Sequence, residues 1–284
     1  SVARSITEGV ADQGQMLLGG DLRFQLNQRE AGAGELAFLH GLGSLSESAN
    51  MRSMARLPDG SDQTLAEVKA VDAAYPLFGR LETEPALPRS ELFAEKNGVY
   101  GAAASGQLLD RLGIRTGDTV RLGNAAFQLR ATILTEPDLG SEGFGFAPRL
   151  MVSLEGLRAS GLIQPGSLVE HSYKLRMPDG VSEARLAALR QQAAERFPQS
   201  GWSIRTRTNA APALSSNIER FSQFLTLVGL TALVVGGVGV ANAVRAYLDG
   251  KRGVIATFKS LGASGGFVFT VYLVQIMMIA FIGI

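Results

Sequence analysis

The sequence contains no cysteine. Disulfide frameworks, thiolate zinc sites and iron–sulfur clusters are thereby excluded. Histidine is nearly absent too, with only His40 and His171, so a catalytic zinc centre built on imidazoles is not expected. Charge is scarce. Charged residues make up 19% of the chain, below the roughly 25% of an ordinary water-soluble domain. Lysine and arginine total 27 against 26 acidic residues, a net charge of +1 that gives no reason to expect a nucleic-acid partner. A P-loop is also missing, because the one Gly-Lys pair, Gly250-Lys251, is followed by Arg252. What is abundant is apolar character: 46% hydrophobic residues and a mean hydropathy of +0.13 over 284 residues. At about 150 residues per domain, that length allows one or two domains.

The apolar residues gather towards the C-terminal end. Phe221 to Val244 is free of charge and is bounded by Arg220 and Arg245. At 1.5 Å per residue such a helix is about 36 Å long, enough for a hydrocarbon layer of roughly 30 Å. A buried core helix is the competing reading, but core helices are usually shorter and seldom uncharged throughout. Ser260 to Ile284 is again uncharged. Its opening, Ser260-Leu-Gly-Ala-Ser-Gly-Gly266, is too glycine-rich for a helix interior, so a second span is expected from near Phe267. That run ends without interfacial anchors, so the chain is expected to belong to a longer protein. Arg245, Lys251, Arg252 and Lys259 lie between the two runs and are opposed only by Asp249. The positive-inside rule then assigns 245–266 to the cytoplasm and 1–219 to the periplasmic or extracellular side. Ser1 to Ser5 opens no apolar signal region, so an upstream membrane helix is expected to carry 1–219 across.

The outer region reads as α+β. Asp21 to Leu26 alternates with period two, as a half-buried strand does. Glu35 to Leu42 forms a short helix with Leu36, Leu39 and His40 on one face. Ala49–Leu57 and Thr64–Val71 flank Pro58-Asp-Gly-Ser-Asp62, the turn chemistry of a hairpin. Residues 80–92 are prolyl and loop-like. Ser105 opens a helix carrying Leu108, Leu109 and Leu112 and closed by Gly113. Gly123-Asn124 joins two more strands, 118–122 and 125–134. Strands follow at 149–153, 171–177 and 202–207, with helices to about Ala159 and from Ser182. Their irregular order implies an inserted subdomain, about 80–165, within an outer unit formed by 16–79 and 166–208. The organisation expected is an outer domain over 1–208, a stalk and membrane helix over 209–246, a cytoplasmic loop over 247–266, and the start of the next membrane helix over 267–284.

Several motifs are decoys. Gly262-Ala-Ser-Gly-Gly266 matches the esterase elbow G-x-S-x-G, but the preceding residues look helical and no histidine follows. Gly32-Ala-Gly-Glu-Leu-Ala37 matches a dinucleotide fingerprint, yet its preceding strand carries Asp21, Arg23 and Gln25 on one face. His40 reads as packed core and His171 as surface. Asp138, Glu142 and Gly143 to Gly145 read as a flexible acidic loop with no ligand set behind it. Neither catalytic residues nor a metal site is expected in this chain.

The membrane part carries more signal. Ala232/Gly236, Gly237/Ala241 and Gly239/Ala243 are small-xxx-small pairs, which let a neighbouring span approach closely. After Lys251-Arg252, the residues Val254, Ile255, Phe258 and Leu261 fall on one helical face, and Gly262 stands where a C-terminal cap belongs. A short amphipathic helix between two spans either lies on lipid or docks into a soluble partner.

Arg252-Gly-Val-Ile-Ala-Thr-Phe-Lys-Ser-Leu-Gly-Ala-Ser264 resembles the cytoplasmic signature of FtsX-like, MacB-type ABC transporter permeases. Val68 to Gly79, Leu112 to Gly123 and Pro148 to Ser153 resemble the YbbP-type members more closely. The resemblance implies a MacB-like periplasmic core followed by transmembrane helices in the bacterial inner membrane, with a first span preceding this chain and a second, similar half following it. It implies a non-catalytic permease subunit and a partner ABC ATPase dimer that binds ATP and Mg. Arg252, Val254, Ile255, Phe258, Lys259, Leu261 and Gly262 would couple to that ATPase. Its closing would be transmitted to the outer domain, which extracts or expels a hydrophobic or lipid-like substrate. Membrane lipid and a periplasmic lysophospholipase/thioesterase complete the implied partners. The alternative is a membrane-anchored scaffold or activator of a periplasmic hydrolase, without transport.

The charge asymmetry yields a labelling test. A cysteine at Ser61 should react with a membrane-impermeant thiol reagent in intact spheroplasts and one at Ser264 should not; the reverse pattern would invert the orientation.

Overall fold

A computed structural model describes residues 13–139, 147–178, 181–209 and 212–282. The chain divides into two compact units, 1–212 and 213–284.

Among the described residues of the first unit, the strands form one 11-stranded mixed sheet. They are β1 (Leu22–Asn27), β2 (Ser44–Arg56), β3 (Gln63–Val71), β4 (Glu82–Glu84), β5 (Glu95–Lys96), β6 (Val99–Ser105), β7 (Thr119–Leu122), β8 (Ala125–Thr135), β9 (Arg149–Ser153), β10 (Glu170–Arg176) and β11 (Ser203–Thr206). The order is β11-β1-β10-β2-β3-β9-β6-β8-β4, with β5 on β6 and β7 touching β2 and β8. Only β3–β9 and β6–β8 pair in parallel. The helices are α1 (Ala33–His40), α2 (Arg89–Leu92), α3 (Gly106–Leu112), α4 (Leu154–Ala159) and α5 (Glu183–Arg196). The α+β class read from the sequence is the observed one. Residues of the 80–165 region hydrogen-bond into the same sheet, through β9 on β3 and β7 on β2.

Local chemistry accounts for most boundaries. The 58–62 turn is tied by Leu57 N–H to the Asp62 carbonyl at 2.9 Å, and the Asp59 carboxylate accepts from Ser61. Ser153 caps α4 by accepting from Gly156 N, and Ser182 caps α5 from Arg185 N. Ser105 precedes α3 as expected, but its Oγ accepts from Arg149 N across to β9. Strand β2 starts earlier than the sequence indicates, because Ser44–Glu47 pair with β10. The 80–92 region is not all loop, since β4 pairs with β8 and α2 forms a short helix.

The apolar core has two main parts. One gathers Val68, Ala70, Leu108, Phe127, Leu150 and Leu157 around β3, β6, β8 and β9. The other gathers Leu22, Phe24, Leu39, Tyr173, Leu186 and Leu189 beneath α1 and α5. Phe24, Phe38, Phe197 and Trp202 close the second with edge-to-face ring contacts.

Strand β1 corrects one expectation. It is not half-buried: Asp21 and Arg23 are as buried as Leu22 and Phe24. The polar face is covered as well, and Asp21 is served by Arg207, Gln15 and Met177 N. The dinucleotide reading fails for a different reason, since β1 is antiparallel to both neighbours and opens no parallel βαβ unit.

The Gly123-Asn124 hairpin is as predicted, with Leu122 opposite Ala125. Gly123 adopts φ +53°, and a Cβ there would lie 2.3 Å from the Ser160 carbonyl oxygen. Gly123→Ala should therefore cost about 1–3 kcal/mol in chemical denaturation, the scale of an overpacked site. Gly60→Ala also has positive φ but meets open space, and it should cost less.

Candidate functional site

The second unit holds α6 (Pro212–Gly250), α7 (Arg252–Ser260) and α8 (Gly265–Ile282). Helix α6 is continuous, and within it Gln223–Gly250 is long and apolar enough to cross a membrane. Gly265–Met278 is a shorter apolar stretch. Helix α8 starts two residues before the expected Phe267 because Ser264 closes its first turn, accepting from Phe267 N on its hydroxyl and from Val268 N on its carbonyl.

Between them, α7 has the amphipathic form expected. Val254, Phe258 and Leu261 stand within about 60° of one another at 100° per residue, and all three are exposed. Phe258 borders a small cleft with Phe267, Val268, Val271 and Tyr272, whereas Leu261 is 80% exposed. Ile255 is half-buried. The helix ends in a Schellman motif: Ala263 N donates to the Phe258 carbonyl, Gly262 N to the Lys259 carbonyl, and Gly262 takes φ +92°. Arg252 bridges Asp249 at 2.8 Å across the α6–α7 break. Lys251 lies 5.9 Å from the Tyr247 ring, and Tyr247 meets Tyr272 edge-on. Lys259 is exposed. The result is an apolar patch flanked by three cations.

The small residues of α6 do not form a single stripe. Ala232, Gly236, Gly239 and Ala243 recur at i, i+4, i+7 and i+11 and share one face. Gly237 and Ala241 lie on the opposite face. A Cβ added at Gly236, Gly237 or Gly239 would meet nothing within 4 Å.

In the first unit, the strongest electrostatic feature is one that no sequence motif announces. Asp138 is not in a flexible acidic loop; it is 1% exposed. It bridges Lys69 at 2.8 Å and also pairs with Lys174, and the Tyr75 hydroxyl donates to it at 2.7 Å. Glu136 accepts from Lys69 at 2.7 Å and from Arg149 at 3.0 Å. Burial by itself would raise the Asp138 pKa, but the charges and hydrogen bonds of Lys174 and Lys69 outweigh it and hold the carboxyl well below the usual range. Burial pushes the Tyr75 phenol far up, so it remains a donor. The available signal was an isolated lysine inside an apolar strand: Lys69 between Val68 and Ala70, Lys174 between Tyr173 and Leu175. Glu142 and Gly143 to Gly145 lie outside the described residues.

Both histidines are placed opposite to expectation. His40 is exposed, because α1 buries Glu35 and Leu39 and the next residue turns about 100° away. Glu35 tolerates burial because Arg29 and Gly32 N donate to it. His171 is buried, on a sheet face where Glu30 and Glu47 come close to it.

No protein-family profile matches the chain. It is 33% identical over 208 residues to the uncharacterized ABC transporter permease YbbP of Escherichia coli K12, covering 72% of this chain and 24% of that protein. The chain thus spans about a quarter of the relative's length. The periplasmic region of MacB from Actinobacillus actinomycetemcomitans aligns at 13% identity over 71% of this chain and 94% of that one, with a TM-score of 0.40. The extracellular domain of the noncanonic ABC-type transporter YknZ from Gram-positive bacteria aligns at 10% identity over 65% and 100%, with a TM-score of 0.44.

The Asp138 cluster makes a stability prediction. Asp138→Asn leaves Lys69 and Lys174 without their shared carboxylate and should cost about 3–5 kcal/mol of unfolding free energy. The same linkage gives a pH dependence. A carboxylate whose folded pKa is depressed contributes stability above its unfolded pKa, so that contribution should fade as acid titrates the folded group and be missing from the variant.

Proposed function

We propose, from the premise that this chain resembles the FtsX-like, MacB-type ABC transporter permeases and within them the YbbP type, that it is part of a non-catalytic permease subunit of a bacterial inner-membrane ABC transporter. Residues 1–219 are then periplasmic and 245–266 cytoplasmic. A separate ATPase dimer, which binds ATP and Mg, engages the cytoplasmic loop through α7. Closure of that dimer moves α7 and the span joined to it, and the outer domain extracts or expels a hydrophobic or lipid-like substrate. Coupling of this kind requires that α7 contact the ATPase differently in its two states.

The observation that carries this reading is the exposed apolar face of α7 beside Lys251, Arg252 and Lys259. Burying one such Phe or Leu side chain contributes roughly 1.5–3 kcal/mol, so two anchors supply a useful docking energy. The small-residue face Ala232, Gly236, Gly239 and Ala243 supports close approach of another span. Gly237 and Ala241 offer a second contact on the other side of the helix.

Phe258 also borders α8, so its replacement alone would not separate docking from local packing. Leu261 is the cleaner site. Phe258→Asp and Leu261→Asp should both leave membrane insertion intact, because α6 carries it. Both should abolish recovery of the ATPase in a pull-down of the full-length complex, or uncouple ATP hydrolysis from activity. Wild-type recovery and coupling in both variants would overturn the transmission role and leave α7 as a lipid-surface helix.

A further inference from the structure

Glu30, Glu47 and His171 converge at one end of the second core. Each places one ligand atom within 4.8 Å of the others. They come from separate elements: Glu30 precedes α1, Glu47 lies on β2 and His171 on β10. The strand register puts His171 opposite Ala49 and Tyr173 opposite Glu47, so Glu47 and His171 are diagonal neighbours on the same sheet face.

Two observations show that the resident groups leave this site incomplete. His171 is 1% exposed, and its buried Nδ1 has no hydrogen-bond partner among the described residues. A buried imidazole nitrogen without a partner forfeits a hydrogen bond that the fold would otherwise supply. The only cation bridging both carboxylates among the described residues is Arg158, and it reaches them poorly, at 3.4 Å to Glu30 and 3.7 Å to Glu47. One guanidinium faces two carboxylates, and its side chain is 48% exposed, free to swing away.

The surroundings suit a ligand set. The Tyr173 hydroxyl accepts from Ala31 N at 2.8 Å. That bond fixes the backbone next to Glu30, as outer-shell hydrogen bonds do for ligating groups.

We propose that Glu30, Glu47 and His171 bind a divalent transition-metal ion of the zinc class, with Arg158 holding the carboxylates in its absence. One imidazole nitrogen and two carboxylates match that class better than magnesium or calcium, which favour all-oxygen shells. Ligand atoms around a tetrahedral ion at about 2.1 Å stand about 3.4 Å apart, so the set must contract. Glu30, exposed and on a loop, supplies that movement. The ion would staple β2, β10 and the β1–α1 connection, leaving a coordination position open towards solvent.

The test uses the full chain in detergent, stripped with a chelator and titrated with zinc by calorimetry, with cobalt(II) as the spectroscopic probe. One equivalent of zinc should bind and raise the Tm, and cobalt should give the visible absorption of a low-coordinate site. His171→Ala should abolish binding. Because that variant opens a buried position, Glu30→Ala is the surface control: it should keep the metal-free Tm and lose at least roughly tenfold in affinity. Arg158→Ala should tighten binding by removing the competitor. Substoichiometric binding to the wild type, unchanged affinity in Glu30→Ala, or no tightening in Arg158→Ala would each overturn the site.

Discussion

The first unit depends on a carboxylate held between two lysines. Lys69 projects from β3 and Lys174 from β10, on either side of β2, and Asp138 spans the gap between them. Asp138 follows β8, so the contact ties the far side of the sheet to its centre. Removing these charges from water is expensive, and the attraction offsets that cost only when every partner is in place. Here Tyr75, Glu136 and Arg149 complete the set. The arrangement also specifies register. A one-residue slip of β3 or β10 would turn its lysine onto the apolar face and bring Val68 or Leu175 to the carboxylate. An apolar core tolerates such slips more readily than a charge cluster does.

This cluster explains where sequence reasoning succeeded and where it did not. Turns and caps were legible because their causes are local. Pro58 to Asp62, Gly123-Asn124, Ser153, Ser182 and Gly262 each act within a few residues, through a φ preference or a short side-chain reach. Strand burial was not legible in the same way. Asp21 and Arg23 resemble the wet face of a half-buried strand, and only distant partners such as Arg207, packed on that face, show it covered. His171 was misplaced for the same reason, because a strand's neighbours are set by contacts hundreds of ångströms of chain away. His40 was misplaced by a single step of helical phase, since the buried pair is Glu35 and Leu39. Glutamate does not look like a core residue until Arg29 is seen beside it.

The α7 motif was legible for a different reason. In α7 one local pattern determines the helix, its apolar face and its cap, with no distant partner required. What that face contacts is not local information, and so the role of α7 rests on chemistry and resemblance. The Glu30–Glu47–His171 cluster is the opposite case. No spacing in the sequence connects residues 30, 47 and 171; the sheet register alone brings them together.

The two units distribute apolar surface in opposite ways. In the first, apolar side chains are withdrawn and the buried charges of the Asp138 cluster are matched with counter-charges. In the second, Leu233, Val235, Val238 and Val240 of α6 are largely exposed, and none of the apolar window is buried within the chain. At about 25 cal/mol per Å², that surface left in water forfeits the stabilisation that burial would give. In hydrocarbon the same surface costs nothing, and the continuous backbone hydrogen bonding of α6 becomes the condition for stability. Helix α7 combines features of both. Its backbone groups are closed by the Schellman motif at Gly262, and its cations remain exposed beside an apolar face. A helix of this form is stable at a membrane surface, and its apolar face is left available for a second protein.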